Sequence, residues 1–224
     1  MGRIKKYFSI LIKAILAGIC IGIGAIVYLS CADKVMGAFL FGIGLFTIIF
    51  FELYLYTGKV GYLINSSPNY LWLLLYTWIG NFIGAFITGS LINFTRVGDK
   101  LNQSASAICE VKLSDNLLSI FILSIFCGLL MFIAVEGKKR ITNPVGQIAV
   151  VFLPVMVFIL SGFEHCIANM AYFTIANQLN LQSLVYLTIM TLGNSVGGML
   201  IPLLELETQK LDKFSSWSYN NNRT

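Results

Sequence analysis

Hydrophobic residues run through this chain in long blocks separated by short polar breaks. A helix crosses a bilayer with roughly twenty consecutive apolar residues. Blocks of that kind lie at about Phe8–Leu29, Tyr70–Ile92, Asn116–Val135 and Leu181–Leu204. Two further blocks are interrupted. Met36–Leu55 runs into Tyr56-Thr57-Gly58-Lys59, too polar for an uninterrupted lipid-facing helix. The pattern predicts a break at Thr57-Gly58 and a half-helix ending near Asn65-Ser66-Ser67-Pro68. The block opening at Pro144, a residue suited to a first helical turn, breaks at Ser161–His165 and resumes to about Ala176. The expected fold is an all-α integral membrane protein of six transmembrane helices, with helices 2 and 5 broken. Asn93–Asp115 reads as a polar loop and Glu136–Asn143 as a basic one. Residues 205–224 read as a polar tail ending in a short surface helix.

Composition extends this reading to the whole length. The chain is 57% hydrophobic and 11% charged, where a soluble domain carries about 25% charged residues. This leaves no separate soluble domain. One transmembrane domain over residues 1–224 is expected, with halves of about 8–92 and 116–204. The basic start and apolar run of Met1–Gly24 suit a signal peptide as well. No small-x-small cleavage site leads into a polar region, so it reads as a permanent helix. Of the 15 basic residues, 11 fall on the side of the chain ends, among them Arg3, Lys138, Lys139, Arg140, Lys213 and Arg223. The other four are Lys34, Arg96, Lys100 and Lys112. The positive-inside rule then places both termini in the cytoplasm. It also accounts for the net charge of +5 without nucleic acid. Cys20, Cys127 and Cys166 read as small packing residues, and pairing of Cys31 with Cys109 stays open.

Phe158–Met170 concentrates the chemistry. It holds the only histidine, His165, beside Glu164. Ionisable groups at membrane depth are costly and mark function by default. Ser161-Gly162 allows a helix break, tolerable only where protein or a watery cavity satisfies the freed backbone. A repeat supports the same picture. Gly80-Asn81-Phe82-Ile83-Gly84 in helix 3 matches Gly193-Asn194-Ser195-Val196-Gly197 in helix 6, each after an interrupted helix. Three spans per half insert with opposite orientation, and such inverted repeats with paired broken helices place a pathway near the midplane. The plain alternative is a small-residue packing motif that recurs by chance.

Four motifs in order resemble the formate/nitrite transporter family of small-anion channels. Gly162-Phe163-Glu164-His165-Cys166-Ile167-Ala168-Asn169-Met170 is the most specific. Leu55-Tyr56-Thr57-Gly58, Cys127-Gly128-Leu129-Leu130-Met131-Phe132-Ile133-Ala134 and Leu192-Gly193-Asn194 are the others. The resemblance implies an aquaporin-like protomer, a homopentamer and one pore per protomer, in the inner membrane of a prokaryote. It implies transport of a small monovalent anion with protons, and neither cofactor nor metal. By position, His165 becomes the central pore histidine and Thr57 the loop threonine facing it. Lys112 becomes a vestibule lysine and Asn194 a polar partner in the pore. Phe41 and Leu45, then Leu55 and Phe158, become two apolar constrictions. Gly58, Gly162, Glu164 and Asn169 become structural residues at the breaks, Glu164 facing backbone donors.

There are departures from the family pattern. Gly128 stands where formate channels carry asparagine, which is expected to widen the passage. Lys59 replaces a smaller polar residue. Tyr54 stands at the family's acid position, with Glu52 two residues earlier. These leave formate, nitrite and hydrosulfide all open. A bare anion is expensive in low dielectric, and groups neutralise instead. Histidine, with an ordinary pKa of about 6.5, suits proton-assisted passage. The rivals are an intramembrane enzyme built on Ser161 and His165, which needs the pair in hydrogen-bond reach, and a neutral-solute channel. A metal site at Glu164, His165 and Cys166 is disfavoured because adjacent helical side chains diverge by about 100°.

Overall fold

A computed structural model of the chain describes residues 2–221, with side chains described for 5–212. Arg223 lies outside the described residues, as do the side chains of Arg3 and Lys213. No strand occurs among the described residues. Among the described residues nine α-helices follow one another: α1 (Gly2–Ser30), α2 (Lys34–Phe50), α3 (Tyr56–Lys59), α4 (Tyr70–Asn93), α5 (Gly98–Ser114), α6 (Leu117–Arg140), α7 (Pro144–Leu160), α8 (Cys166–Ile175) and α9 (Leu181–Asn221). A 3₁₀ turn, Val60–Asn65, extends α3. α1, α4, α6 and α9 contain stretches long and apolar enough to cross a membrane. α2 and α7 are shorter, 17 residues each, and each is followed by a break and a second short helix.

Local sequence explains the starts. Asp33 Oδ1 caps α2 by accepting from Val35 N at 2.8 Å and Met36 N at 2.9 Å. Asn143 caps α7 on Val145 N and Gly146 N, with Pro144 in the first turn as expected. Asn116 caps α6 on Ser119 N. Such side-chain acceptors satisfy amides that have no partner inside the helix.

The two halves are built alike. α1 packs on α2 and α4, as α6 packs on α7 and α9. The broken pieces then exchange: α8 lies against α4, the 3₁₀ turn lies against α9, and α2 meets α7 between the halves. The Gly-Asn-x-x-Gly motifs sit at the tight crossings. A Cβ on Gly84 would collide with the Ile15 carbonyl, and one on Gly197 with the Ile125 carbonyl. Gly18 and Gly128 meet the backbones of Asn81 and Asn194 in the same manner. Small residues thus let these helices touch backbone to backbone, and Gly128 is one of them. Its expected widening of the passage is therefore corrected: the missing side chain is filled by α9.

Several sequence expectations change. The first break lies at Phe51–Leu55, before Thr57-Gly58. Leu53 N bonds Ile48 O at 2.9 Å and Glu52 has φ +52, closing α2 in a left-handed cap. Gly58 accordingly sits inside α3, with Val135 Cγ2 3.0 Å from where its Cβ would be, and is a packing residue of α3 on α6. The loop expected over Asn93–Asp115 contains α5, whose Leu101, Ala105 and Cys109 are buried. The tail continues α9 without interruption to Asn221, and the basic loop is largely the last turns of α6. Cys31 and Cys109 are both free thiols in this structure.

Candidate functional site

The second break places its residues one by one. Phe163 N bonds Phe158 O at 2.9 Å, and Gly162 has φ +69, a conformation that favours glycine. The chain then runs extended into α8, whose N-cap is His165 itself. Ala168 N–H donates to His165 Nδ1 at 3.0 Å. A backbone amide can only donate, so Nδ1 presents its lone pair and the neutral ring carries its proton on Nε2. That nitrogen lies 2.9 Å from Thr57 Oγ1. His165 and Thr57 are 1% and 0% exposed, and they come from opposite halves. The structure brings these two residues together in one buried hydrogen bond.

Two cavities approach this pair. One, about 340 Å³, lies on the side away from the start of α1 and is bordered by His165, Phe158, Tyr172, Lys112 and Glu164. The other, about 310 Å³, lies on the side of the chain ends and is bordered by Leu55 and Gly58, which flank Thr57, with Tyr54 and several lysines. They are called here the outer and inner cavities. Phe158 stacks on the His165 ring at 5.5 Å between centroids. Phe41 meets Phe158 edge-on at 5.9 Å and 88°. The expected grouping of Leu55 with Phe158 is thereby corrected. Phe158 borders the outer cavity with Phe41 at its edge, and Leu55 borders the inner one. Phe41, Leu45, Leu55 and Phe158 are all buried.

Lys112 reaches in from the end of α5. Its Nζ lies 2.6 Å from Glu164 Oε2, with side chains 13% and 4% exposed. Asn169 Nδ2 donates to the same oxygen at 2.8 Å and to His165 O at 3.0 Å. Glu164 is therefore held by two side-chain donors, not by the backbone donors expected. Lys112 borders the outer cavity with its charge met by a carboxylate.

Asn194 needs a clear correction. Its Oδ1 accepts from Cys166 N at 2.9 Å, and Nδ2 donates to Ser124 O at 2.8 Å and Glu164 O at 2.7 Å. Both amide hydrogens are spent on backbone carbonyls, one in α6 and one in the break, leaving none for an anion in the passage. Sequence reasoning also missed its twin as a site residue. Asn81 Oδ1 accepts from Tyr56 N at 2.9 Å, and its Nδ2 donates to Ala14 O and Tyr54 O, both at 2.8 Å. The recurring Gly-Asn-x-x-Gly was the available signal. The serine–histidine pairing is not made: both ring nitrogens of His165 are engaged elsewhere, and Ser161 is exposed at the far end of the break.

A family model described as formate/nitrite transporter matches residues 3–205. A formate channel of Bacillus thuringiensis is 28% identical over 61% of this chain and 56% of its own length. A formate channel of Haemophilus influenzae is 23% identical over 74% of this chain and 66% of its own. The chain thus spans less than two thirds of these two relatives. A formate-nitrite transporter of Plasmodium falciparum is 26% identical over 99% of this chain and 86% of its own. Among solved structures, a pentameric formate channel with formate bound superposes with TM-score 0.79 at 26% identity, covering 92% of this chain and 98% of that one. With paired broken helices, a buried histidine at the second break and this match over nearly its whole length, the chain belongs to the formate/nitrite transporter family.

Proposed function

We propose that this chain is a single channel domain of six spans that passes small monovalent weak-acid anions, of the formate, nitrite or hydrosulfide type. It works as a homopentamer with one pathway per protomer, embedded in lipid with both chain ends in the cytoplasm. The 11 basic residues on that side favour this orientation, and the bacterial relatives favour a prokaryotic inner membrane. The observation that carries the reading is the His165–Thr57 hydrogen bond at 2.9 Å, buried between two cavities and flanked by apolar side chains.

The chemistry follows from the tautomer. With Nδ1 occupied by the Ala168 amide, the ring offers Nε2–H, and the Thr57 hydroxyl is free to donate its own proton. Because Nε2–H is donated to Thr57 Oγ1, an anion arriving between the apolar side chains meets the Thr57 O–H directly and gains the Nε2–H by displacing Thr57 Oγ1 as its acceptor. Protonating the ring would set an N–H on Nδ1 against the Ala168 N–H and break the cap of α8. The ring therefore serves as a hydrogen-bond donor, and the proton that neutralises the weak acid enters from cavity water. Passage as the neutral acid avoids leaving a bare charge in low dielectric.

The test is anion flux in proteoliposomes, comparing formate, nitrite and hydrosulfide across pH, with wild type beside His165→Phe. The expected result is fast flux that rises as pH falls, because the neutral acid becomes more abundant, and that is abolished or reshaped by the substitution. Folded oligomer in the bilayer with no flux of any anion at any pH would sink the reading.

A further inference from the structure

The two cavities carry very different charge. The lysine at the outer one is neutralised by Glu164. The inner one is lined by Lys13, Lys59, Lys138 and Lys139 with one carboxylate, Glu52. Lys139 is shared with Glu136 at 3.4 Å and with the Tyr62 hydroxyl. The side chains of Lys13, Lys59 and Lys138 form no ion pair or hydrogen bond among the described residues. Lys13 and Lys59 face the same aromatic ring, 5.9 and 5.0 Å from the Tyr54 centroid. Lys59 is partly desolvated by burial and has Lys139 and Lys13 as repulsive neighbours, with Glu52 as an attractive one.

Topology accounts for Lys138 and Lys139, since cations suit the C-terminal turn of a helix. It does not account for Lys13, which lies within the apolar run Lys5–Ser30, half-buried and in no ion pair among the described residues. Nor does it account for Lys59 on the re-entrant piece. Unpaired lysines from three separate elements converge on one concave space, whose floor is apolar: Leu55, Ile48 and Val135. Such a cleft focuses positive potential and presents up to three N–H donors per ammonium. It suits an anion with several oxygens and more than one charge. The apolar floor bars that same anion, since one proton cannot neutralise it.

We propose that the inner cavity is a binding site for a polyvalent phosphate-class anion, which occupies the cytoplasmic mouth without passing and closes it to the monovalent substrate. The closing role rests on the anion-pathway reading above; the binding itself does not. The ligand's shared chemistry is the phosphate group, free in solution or on a lipid.

The experiment uses the full chain in phosphatidylcholine nanodiscs, titrated calorimetrically with inorganic pyrophosphate, alongside flux in proteoliposomes. Saturable binding is expected, weakened about tenfold or more in Lys59→Gln/Lys138→Gln, a difference of ~1.4 kcal/mol. Lys210→Gln, exposed on α9 and paired with Glu207, leaves binding as in wild type. Pyrophosphate blocks flux only from the face bearing the chain ends. Lys13→Gln replaces the double variant if the latter does not assemble. Absent binding, or binding indifferent to these lysines, overturns the proposal whatever the flux. Binding that is lost when phosphatidylglycerol replaces part of the bilayer assigns the cavity to a lipid headgroup and overturns the soluble-anion form. Lysine-dependent binding in protein that passes no anion keeps the site and removes the pathway reading instead.

Discussion

At residue 81 and again at residue 194, one asparagine side chain holds three backbone groups at a helix break. In each half the carboxamide joins the break to the first helix of that half and to the amide that opens the re-entrant helix. Broken backbone at membrane depth is tolerated only where protein satisfies it, and these two residues do so. Asn81→Ala and Asn194→Ala should each cost about 1–3 kcal/mol for every buried group left unpaired. Thermal unfolding in detergent checks this, and the two losses should be similar in size. The chemistry, in contrast, is one-sided. Tyr54 and Tyr56 occupy the places that Glu164 and Cys166 hold in the other half, so Leu55 is the counterpart of His165. One half supplies the imidazole at that place and the other a leucine, with Thr57 reaching across from two residues further on. Thr57→Val should keep the fold, because Thr57 accepts no backbone donor, while lowering flux at every pH in the proteoliposome assay.

Among the elements, the two breaks share one geometry but not one residue type. α2 and α7 both end in a left-handed position closed by a bond back five residues, Leu53 N to Ile48 O and Phe163 N to Phe158 O. The second uses Gly162 and the first uses Glu52. A residue with a Cβ pays about 1–2 kcal/mol for that conformation. Glu52→Gly should therefore raise stability by about 1 kcal/mol, while Glu52→Ala, which removes the charge and keeps the Cβ, should not. Gly162→Ala should lower stability by a similar amount, and thermal midpoints of the three variants decide it. This difference also explains what was legible in the sequence. Ser161-Gly162 announces its break through the glycine. Glu52 carries no such signal, so the sequence pattern places the first break at the nearest glycine, Gly58, which is a packing residue in α3. α5 was unreadable for another reason. It is polar along most of its length, and its buried stripe of Leu101, Ala105 and Cys109 is too sparse to stand out. The place of the site was legible through its one chemically rare side chain, the single histidine. It was not legible where the outcome depends on which group a common side chain faces, as with Asn194 and the lysines of α6.

Across the whole molecule, the charge is arranged unequally about the central pair. Lys112 and Glu164 neutralise each other at the outer cavity, whereas lysines outnumber the single carboxylate at the inner one. The α6 end that carries two of them is fixed in place. Arg140 holds Glu205 of α9 at 2.5 and 2.9 Å and Glu136 at 3.1 Å, and Tyr62 donates to Glu136 at 2.7 Å. The field at the inner mouth thus comes from a helix end tied to α9 and the 3₁₀ turn. Open, positive surfaces draw anions by a mechanism that salt screens, with a Debye length of about 10 Å at 0.1 M and 3 Å at 1 M. A buried ion pair presents almost no field to be screened. Flux of a monovalent anion in oriented vesicles should therefore fall with ionic strength much more when it starts from the face of the chain ends than from the opposite face. An inert salt of monovalent ions is needed, so that occupancy by a polyvalent anion does not mimic screening. Lys59→Gln/Lys138→Gln should remove most of the difference, and Lys112→Gln should not. Equal salt dependence from both faces in wild type would mean that the inner lysines do not set the supply of anions to the passage.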